Sequence, residues 1–141
     1  MEEERDIEIH IPHQLGYERV PMESVGAIAA MMGFTSDRIN DLKTAVSEAC
    51  INAIEHGSVG ASSERILVTL SPGNSELRVD VQNWGGAFNS SDERPDINEK
   101  MEGRSPTRGW GMFLIRGLVD KVRFSSQGGK NTTNMVIYLD K

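Results

Sequence analysis

The sequence predicts an α+β fold, a two-layer α/β sandwich in which one antiparallel or mixed sheet carries its helices on a single face. Three observations point to it. Apolar residues alternate with polar ones in short runs, such as Ile7, Ile9 and Ile11 or Leu77, Val79 and Val81, the period of a half-buried strand. A longer run, Ile39, Leu42, Val46, Ala49 and Ala53, keeps helical spacing instead. Turn residues at Ser71-Pro72-Gly73-Asn74 and at Gly128-Gly129 join strands directly, as antiparallel hairpins do.

In chain order, Ile7 to Ile11 reads as a first strand and Leu15 to Val20 as a second that pairs with it. Pro21 suits a helix N-terminus, and Val25, Ile28, Ala29 and Met32 form a short apolar stripe that Gly33 stops. A stronger helix begins at Ser36, with Ser36 or Asp37 as its cap, and runs to Gly57. Strands Arg65 to Leu70 and Leu77 to Asn83 then form a hairpin. From Trp84 to Thr107 the chain is polar and rich in glycine and proline, which reads as a lid. A helix from about Trp110 to Asp120 and strands Lys121 to Ser126 and Thr132 to Leu139 complete the sheet, whose other face is left open.

Length and composition limit the function. A chain of 141 residues, 38% hydrophobic and 26% charged, fits one globular domain over residues 1–141. The net charge of -6 argues against a nucleic-acid partner, which needs clustered Lys and Arg. The single cysteine, Cys50, forms no internal disulfide and reads as a packing residue in a reducing compartment. The acidic N-terminus and the shortness of the longest apolar stretch, Val25 to Phe34, speak against export and against a membrane span. The expected location is the cytoplasm.

Three groups of residues carry chemistry. Glu48 and Asn52 stand one turn apart on the strong helix, on the shoulder of its apolar stripe, with only Ala45 and Ala49 between them and the core. A carboxylate and an amide oxygen so placed suit a general base and a ligand for a hard cation such as magnesium, or else form a solvated polar edge. Asn83 falls in phase with the buried side of its strand, where a polar residue needs a partner, and Gly85-Gly86 follows. Asn83 therefore suits either the edge of a bound base or a plain turn. Arg108-Gly109-Trp110-Gly111 opens the last helix as a phosphate cradle or a simple cap.

The order of these signals resembles the GHKL ATPase superfamily and its Bergerat, or histidine-kinase-like ATPase, fold: Glu-x-x-x-Asn on a helix, Asn83-x-Gly85 at a strand end, a lid over about 84–107, then Arg-Gly-x-Gly. The stretches Lys43 to Ala53 and Arg108 to Ile115 look most like the bacterial anti-sigma factor/serine-protein kinase family. The resemblance implies that Asn52 holds the magnesium bridging the phosphates of ATP and that Glu48 orients or deprotonates an acceptor serine. It also implies that Arg108, Gly109 and Gly111 line the phosphate end, with Thr132 near the far wall. The family usually has aspartate where this chain has Asn83, accepting a hydrogen bond from the adenine amino group. An amide oxygen still accepts that bond, at about half the strength of a charge-assisted one.

By that resemblance the chain is a cytoplasmic serine-protein kinase that binds a sigma factor, phosphorylates a STAS-domain anti-anti-sigma protein, and forms a homodimer. Two alternatives share its residues. One is a partner-binding module that uses nucleotide weakly or not at all, and the other a switch kinase in a phosphatase pathway.

Overall fold

The computed structural model describes residues 5–56, 65–84 and 108–140. In chain order these form β1 (Ile7–Ile11), α1 (Arg19–Met32), α2 (Ser36–His56), β2 (Ile66–Pro72), β3 (Glu76–Trp84), α3 (Arg108–Leu118), β4 (Lys121–Gln127) and β5 (Lys130–Tyr138). The strands make one five-stranded sheet in the order β1-β2-β3-β5-β4. Every pairing is antiparallel, which resolves the choice between an antiparallel and a mixed sheet.

Local chemistry explains the corners. The β4–β5 hairpin turns through Gly128 and Gly129 at φ 61° and 82°, both in the left-handed region that a two-residue turn matched to strand twist requires. The predicted strand from Leu15 to Val20 does not exist. Gly16 adopts φ 106°, and the amides of Tyr17, Arg19 and Val20 each donate to the carbonyl three residues back, so the segment winds directly into α1. With Leu15, Tyr17 and Val20 left exposed, β1 pairs with β2 instead.

The α2 helix is capped one residue earlier than Ser36 or Asp37. Thr35 lies just before it, and its Oγ1 accepts the Arg38 amide at 3.3 Å while its carbonyl accepts that of Ile39. The threonine hydroxyl reaches the third helical amide as a cap must. The last helix also starts two residues early, at Arg108, and ends at Leu118, while Trp84 belongs to β3.

The core lies between the sheet and α2. Leu42, Ala45, Val46, Ala49, Cys50 and Ala53 from α2 meet Val68 and Leu70 of β2, Leu77, Val79 and Val81 of β3, and Met135 and Ile137 of β5. Full burial of each larger aliphatic side chain contributes about 1.5–3 kcal/mol. Burial also pushes the Cys50 thiol pKa well up, which leaves it an inert packing group as expected. Ala45 and Ala49, beside Glu48, are themselves buried in this core.

One polar contact fastens the two layers. Arg38 Nη2 donates to Asp120 Oδ2 at 2.9 Å, and the same oxygen accepts the Tyr138 amide at 2.7 Å. The start of α2 is thereby tied to the α3–β4 corner and to the end of β5. Arg38 also lies over the Phe34 ring, 5.4 Å from its centroid. Removing the carboxylate leaves a mostly buried amide and guanidinium without their acceptor. We therefore expect Asp120→Ala to lower the unfolding free energy by about 2–4 kcal/mol, read as a lower urea midpoint at unchanged slope.

Candidate functional site

Only four polar side chains are buried among the described residues: Asn52, Asn83, Asn131 and Thr133. Asn83 and Asn131 are opposite each other in the β3–β5 register, and Thr133 is opposite Val81 two residues further along β5. All three point to the side that carries the helices, because they share the phase of Val79, Val81, Met135 and Ile137. Asn52 belongs to the C-terminal half of α2, the helix that packs on β3. The apolar seam between α2 and the sheet thus gives way to amides and a hydroxyl.

Two of these amides have unspent donors. Asn52 Nδ2 and Asn83 Nδ2 are enclosed and have no hydrogen-bond partner among the described residues. A buried donor left unsatisfied costs about 1–3 kcal/mol, so a native chain that keeps two of them near one seam is expected to fill them with a ligand or water. In the bland reading Asn83 is a turn residue beside glycines, but its side chain is only 1% exposed.

Glu48 sits one turn before Asn52, about 6 Å along the helix axis, and is half-buried. Burial raises its carboxyl pKa from the ordinary value, helped by the negative charges of Glu55 and Glu18. Glu18 belongs to the turn before α1, where its Oε1 accepts the Gly16 amide at 2.7 Å. The turn that replaced the predicted strand therefore brings a second acid toward Glu48. A carboxylate so destabilised is a stronger base than an exposed one, as proton abstraction requires.

The remaining predicted residues are distributed as follows. Arg108, Gly109 and Gly111 form the first turn of α3, which packs on α2 and reaches β4 by its opposite end, about 16 Å away along the axis. Gly85 and the expected lid lie outside the described residues, apart from Trp84 at the end of β3. Thr132 stands on the outward face opposite Gln82, so its neighbours Asn131 and Thr133 occupy the inward positions. The sequence carried the signal for these two missed residues: counting back in twos from Ile137 and Met135 reaches Thr133 and Asn131, not Thr132.

No group of three or more His, Cys, Asp or Glu among the described residues could hold a metal ion. A lone amide such as Asn52 fits magnesium that arrives with phosphates and keeps most of its waters. Two clefts of about 530 and 560 Å³ open on the outward face around Arg78 and Asn134, one toward Lys121 and Arg123 and the other toward the β2–β3 turn. Neither includes a predicted site residue.

The histidine kinase-like ATPase domain matches residues 11–137, a span that takes in the whole seam and both ends of the site. The chain belongs to the histidine kinase-like ATPase family. Among its relatives are proteins named serine-protein kinase RsbW from Bacillus velezensis and from Bacillus subtilis. Each is 30% identical over 138 residues, 95% of this chain and 86% of the relative. A further RsbW, from Bacillus pumilus, is 28% identical over 141 residues. The resemblance to the GHKL anti-sigma factor/serine-protein kinase family is thus borne out. The solved structure of the RsbU and RsbW domains of a Mycobacterium tuberculosis protein superposes with a TM-score of 0.70 at 21% identity. It covers 95% of this chain, which spans 32% of that longer one, and it supports the fold alone.

The raised pKa of Glu48 has a consequence for stability. The folded chain holds this proton more tightly than the unfolded one, so protonation favours the fold. That contribution is complete below the unfolded value and is lost as pH rises through the folded one, which leaves the carboxylate unfavourable near neutrality. Glu48→Gln should therefore unfold at an equal or higher urea concentration than wild type at about pH 7.5, the difference vanishing toward about pH 4.

Proposed function

We propose that this member of the histidine kinase-like ATPase family is a protein serine kinase that binds ATP with magnesium and transfers the γ-phosphoryl group to a serine of a partner protein. One observation carries the reading: a half-buried carboxylate of raised pKa, Glu48, stands one turn before a buried amide, Asn52, whose Nδ2 has no partner among the described residues. The family membership and the names of the relatives supply the reaction class.

The residues then divide the work. Asn83, Asn131 and Thr133 offer a neutral, buried floor that suits an uncharged base. Arg108, Gly109 and Gly111, at the positive end of the α3 dipole, suit the phosphates. Magnesium, when bound with the nucleotide, would neutralise developing charge on the phosphates, and Asn52 is the residue placed to hold it. Glu48 takes the proton of the serine hydroxyl as its oxygen bonds to the γ-phosphorus. The bond from that phosphorus to the bridging oxygen breaks, and ADP leaves with the electron pair.

The partners are those that the family resemblance implies. The reading includes a sigma factor sequestered by this chain, a STAS-domain anti-anti-sigma protein as the phosphorylated substrate, a homodimeric state and a cytoplasmic location. The last agrees with the lack of any described helix long and apolar enough to cross a membrane.

Calorimetry of ATP with and without magnesium, followed by phosphate transfer to a STAS-domain protein from the same genome, tests the reading. Glu48→Gln should keep ATP affinity within a few-fold and slow transfer by about 10²–10⁴-fold, the usual worth of a general base. Asn52→Ala should remove the magnesium dependence of binding. Wild-type transfer should rise with pH through the raised Glu48 pKa and then level off. Failure of wild type to bind millimolar ATP would leave a partner-binding module as the function, and unimpaired transfer by Glu48→Gln would remove Glu48 from the chemistry.

A further inference from the structure

The end of β3 holds a buried carboxamide. Asn83 is 1% exposed, on the inward face, with the equally buried Asn131 opposite it in the β3–β5 register. Its Nδ2 has no partner among the described residues. A carboxamide presents one acceptor and one double donor, which exchange places when χ2 turns by 180°. With no partner on the donor, neither orientation sacrifices a bond made by Nδ2.

The two purine classes present opposite patterns along the edge formed by C6 and N1. A 6-aminopurine offers a donor at its exocyclic nitrogen and an acceptor at N1. A 6-oxopurine offers an acceptor at O6 and a donor at N1. An ionised carboxylate, being acceptor-only, complements the 6-amino group and sets oxygen against O6. A carboxamide complements either edge, with Oδ1 toward the amino group and Nδ2 toward N1, or the reverse after the flip.

We propose that Asn83 makes the nucleotide site indifferent to the group at purine C6, so that it accepts 6-oxopurine nucleoside triphosphates, the class of GTP and ITP, alongside ATP. The inference rests on the nucleotide reading of the Asn52–Asn83 seam and names its substrate class. No charged side chain is buried on the inward faces of β3 and β5 to impose a polarity, since the buried polar residues there are the neutral Asn83, Asn131 and Thr133. Discrimination by this residue would require a donor or an acceptor alone, and a carboxamide carries both.

ITP is the deciding probe, because it differs from ATP only along this edge and carries no additional 2-amino group. Calorimetric titration of ATP and ITP, each with magnesium, into wild type should give dissociation constants within about tenfold of each other, since each class forms the same number of neutral hydrogen bonds. In Asn83→Asp, ATP should bind at least as tightly as in wild type. ITP should weaken so that the preference for ATP grows by about tenfold or more, as an unmatched buried acceptor pair demands. Asn83→Ala, which removes the amide without adding charge, should weaken both nucleotides alike and leave their ratio unchanged.

The outcomes are distinguishable. If wild type binds ATP but ITP is over a hundredfold weaker, or if Asn83→Asp binds ATP with the wild-type ratio, the indifference is refuted and the nucleotide site stands. If Asn83→Asp does not fold by circular dichroism, the wild-type ratio and the Asn83→Ala ratio decide. If wild type binds neither nucleotide, the nucleotide reading fails and this inference fails with it.

Discussion

The packing of α2 along β3 and β2 is the constraint on which the rest of the structure depends. Its apolar stripe supplies much of the core, from Leu42 through Val46 to Ala53. The same helix carries Glu48 and Asn52, so whatever fixes its rotation about its axis also aims the site. The Arg38–Asp120 contact performs part of that task at the N-terminal end, where one carboxylate oxygen ties α2 to the α3–β4 corner and to the amide of Tyr138. Because Asp120 follows α3 directly, α3 and the opening turn at Arg108 are positioned by the same contact. The two helices that hold the candidate site residues are thus referenced to each other and to the last strand before any ligand is considered.

Much of this arrangement is legible in the sequence because it follows from periodicity. The stripe from Ile39 to Ala53 defines α2, Gly33 ends α1 with φ 99°, and Gly128-Gly129 turns the last hairpin. Asn83 is placed correctly by strand phase alone. The failures come from segments in which local hydrogen bonding competes with the apolar pattern. Leu15, Tyr17 and Val20 look like part of an alternating strand, but Gly16 takes a left-handed conformation and the amides bond three residues back. Thr35 outcompetes Ser36 because a cap is chosen by where the first helical turn closes, which composition does not reveal.

The outward placement of Thr132 was hidden for a different reason. A strand boundary placed two residues late hid Asn131, and adjacent threonines left the inward residue ambiguous until the phase was counted from Met135 and Ile137. Glu18 was illegible for another reason. It lies thirty residues from Glu48, and only the turn into α1 brings its charge to bear. Long-range electrostatics of this kind depend on tertiary placement, whereas the Glu48–Asn52 spacing is intrinsic to a helix and was available at once.

Burying polar groups in the seam opposes stability, and that opposition bears on function. An apolar residue at Asn52 or Asn83 would extend the core by one more layer and relieve an unsatisfied donor, a change that commonly stabilises a domain. Glu48 adds to the same burden, since its carboxylate is held where burial and two neighbouring acids disfavour its charge. Three unfavourable choices on two contacting elements, α2 and β3, are hard to account for as packing. The nucleotide site proposed for this chain would account for them together: the base would use the amide on the sheet, the phosphates and their cation the amide on the helix, and the destabilised carboxylate would gain a proton in the transfer. Under that proposal the energy withheld from folding would be recovered on binding, because the Asn52 and Asn83 donors would make their hydrogen bonds in the complex.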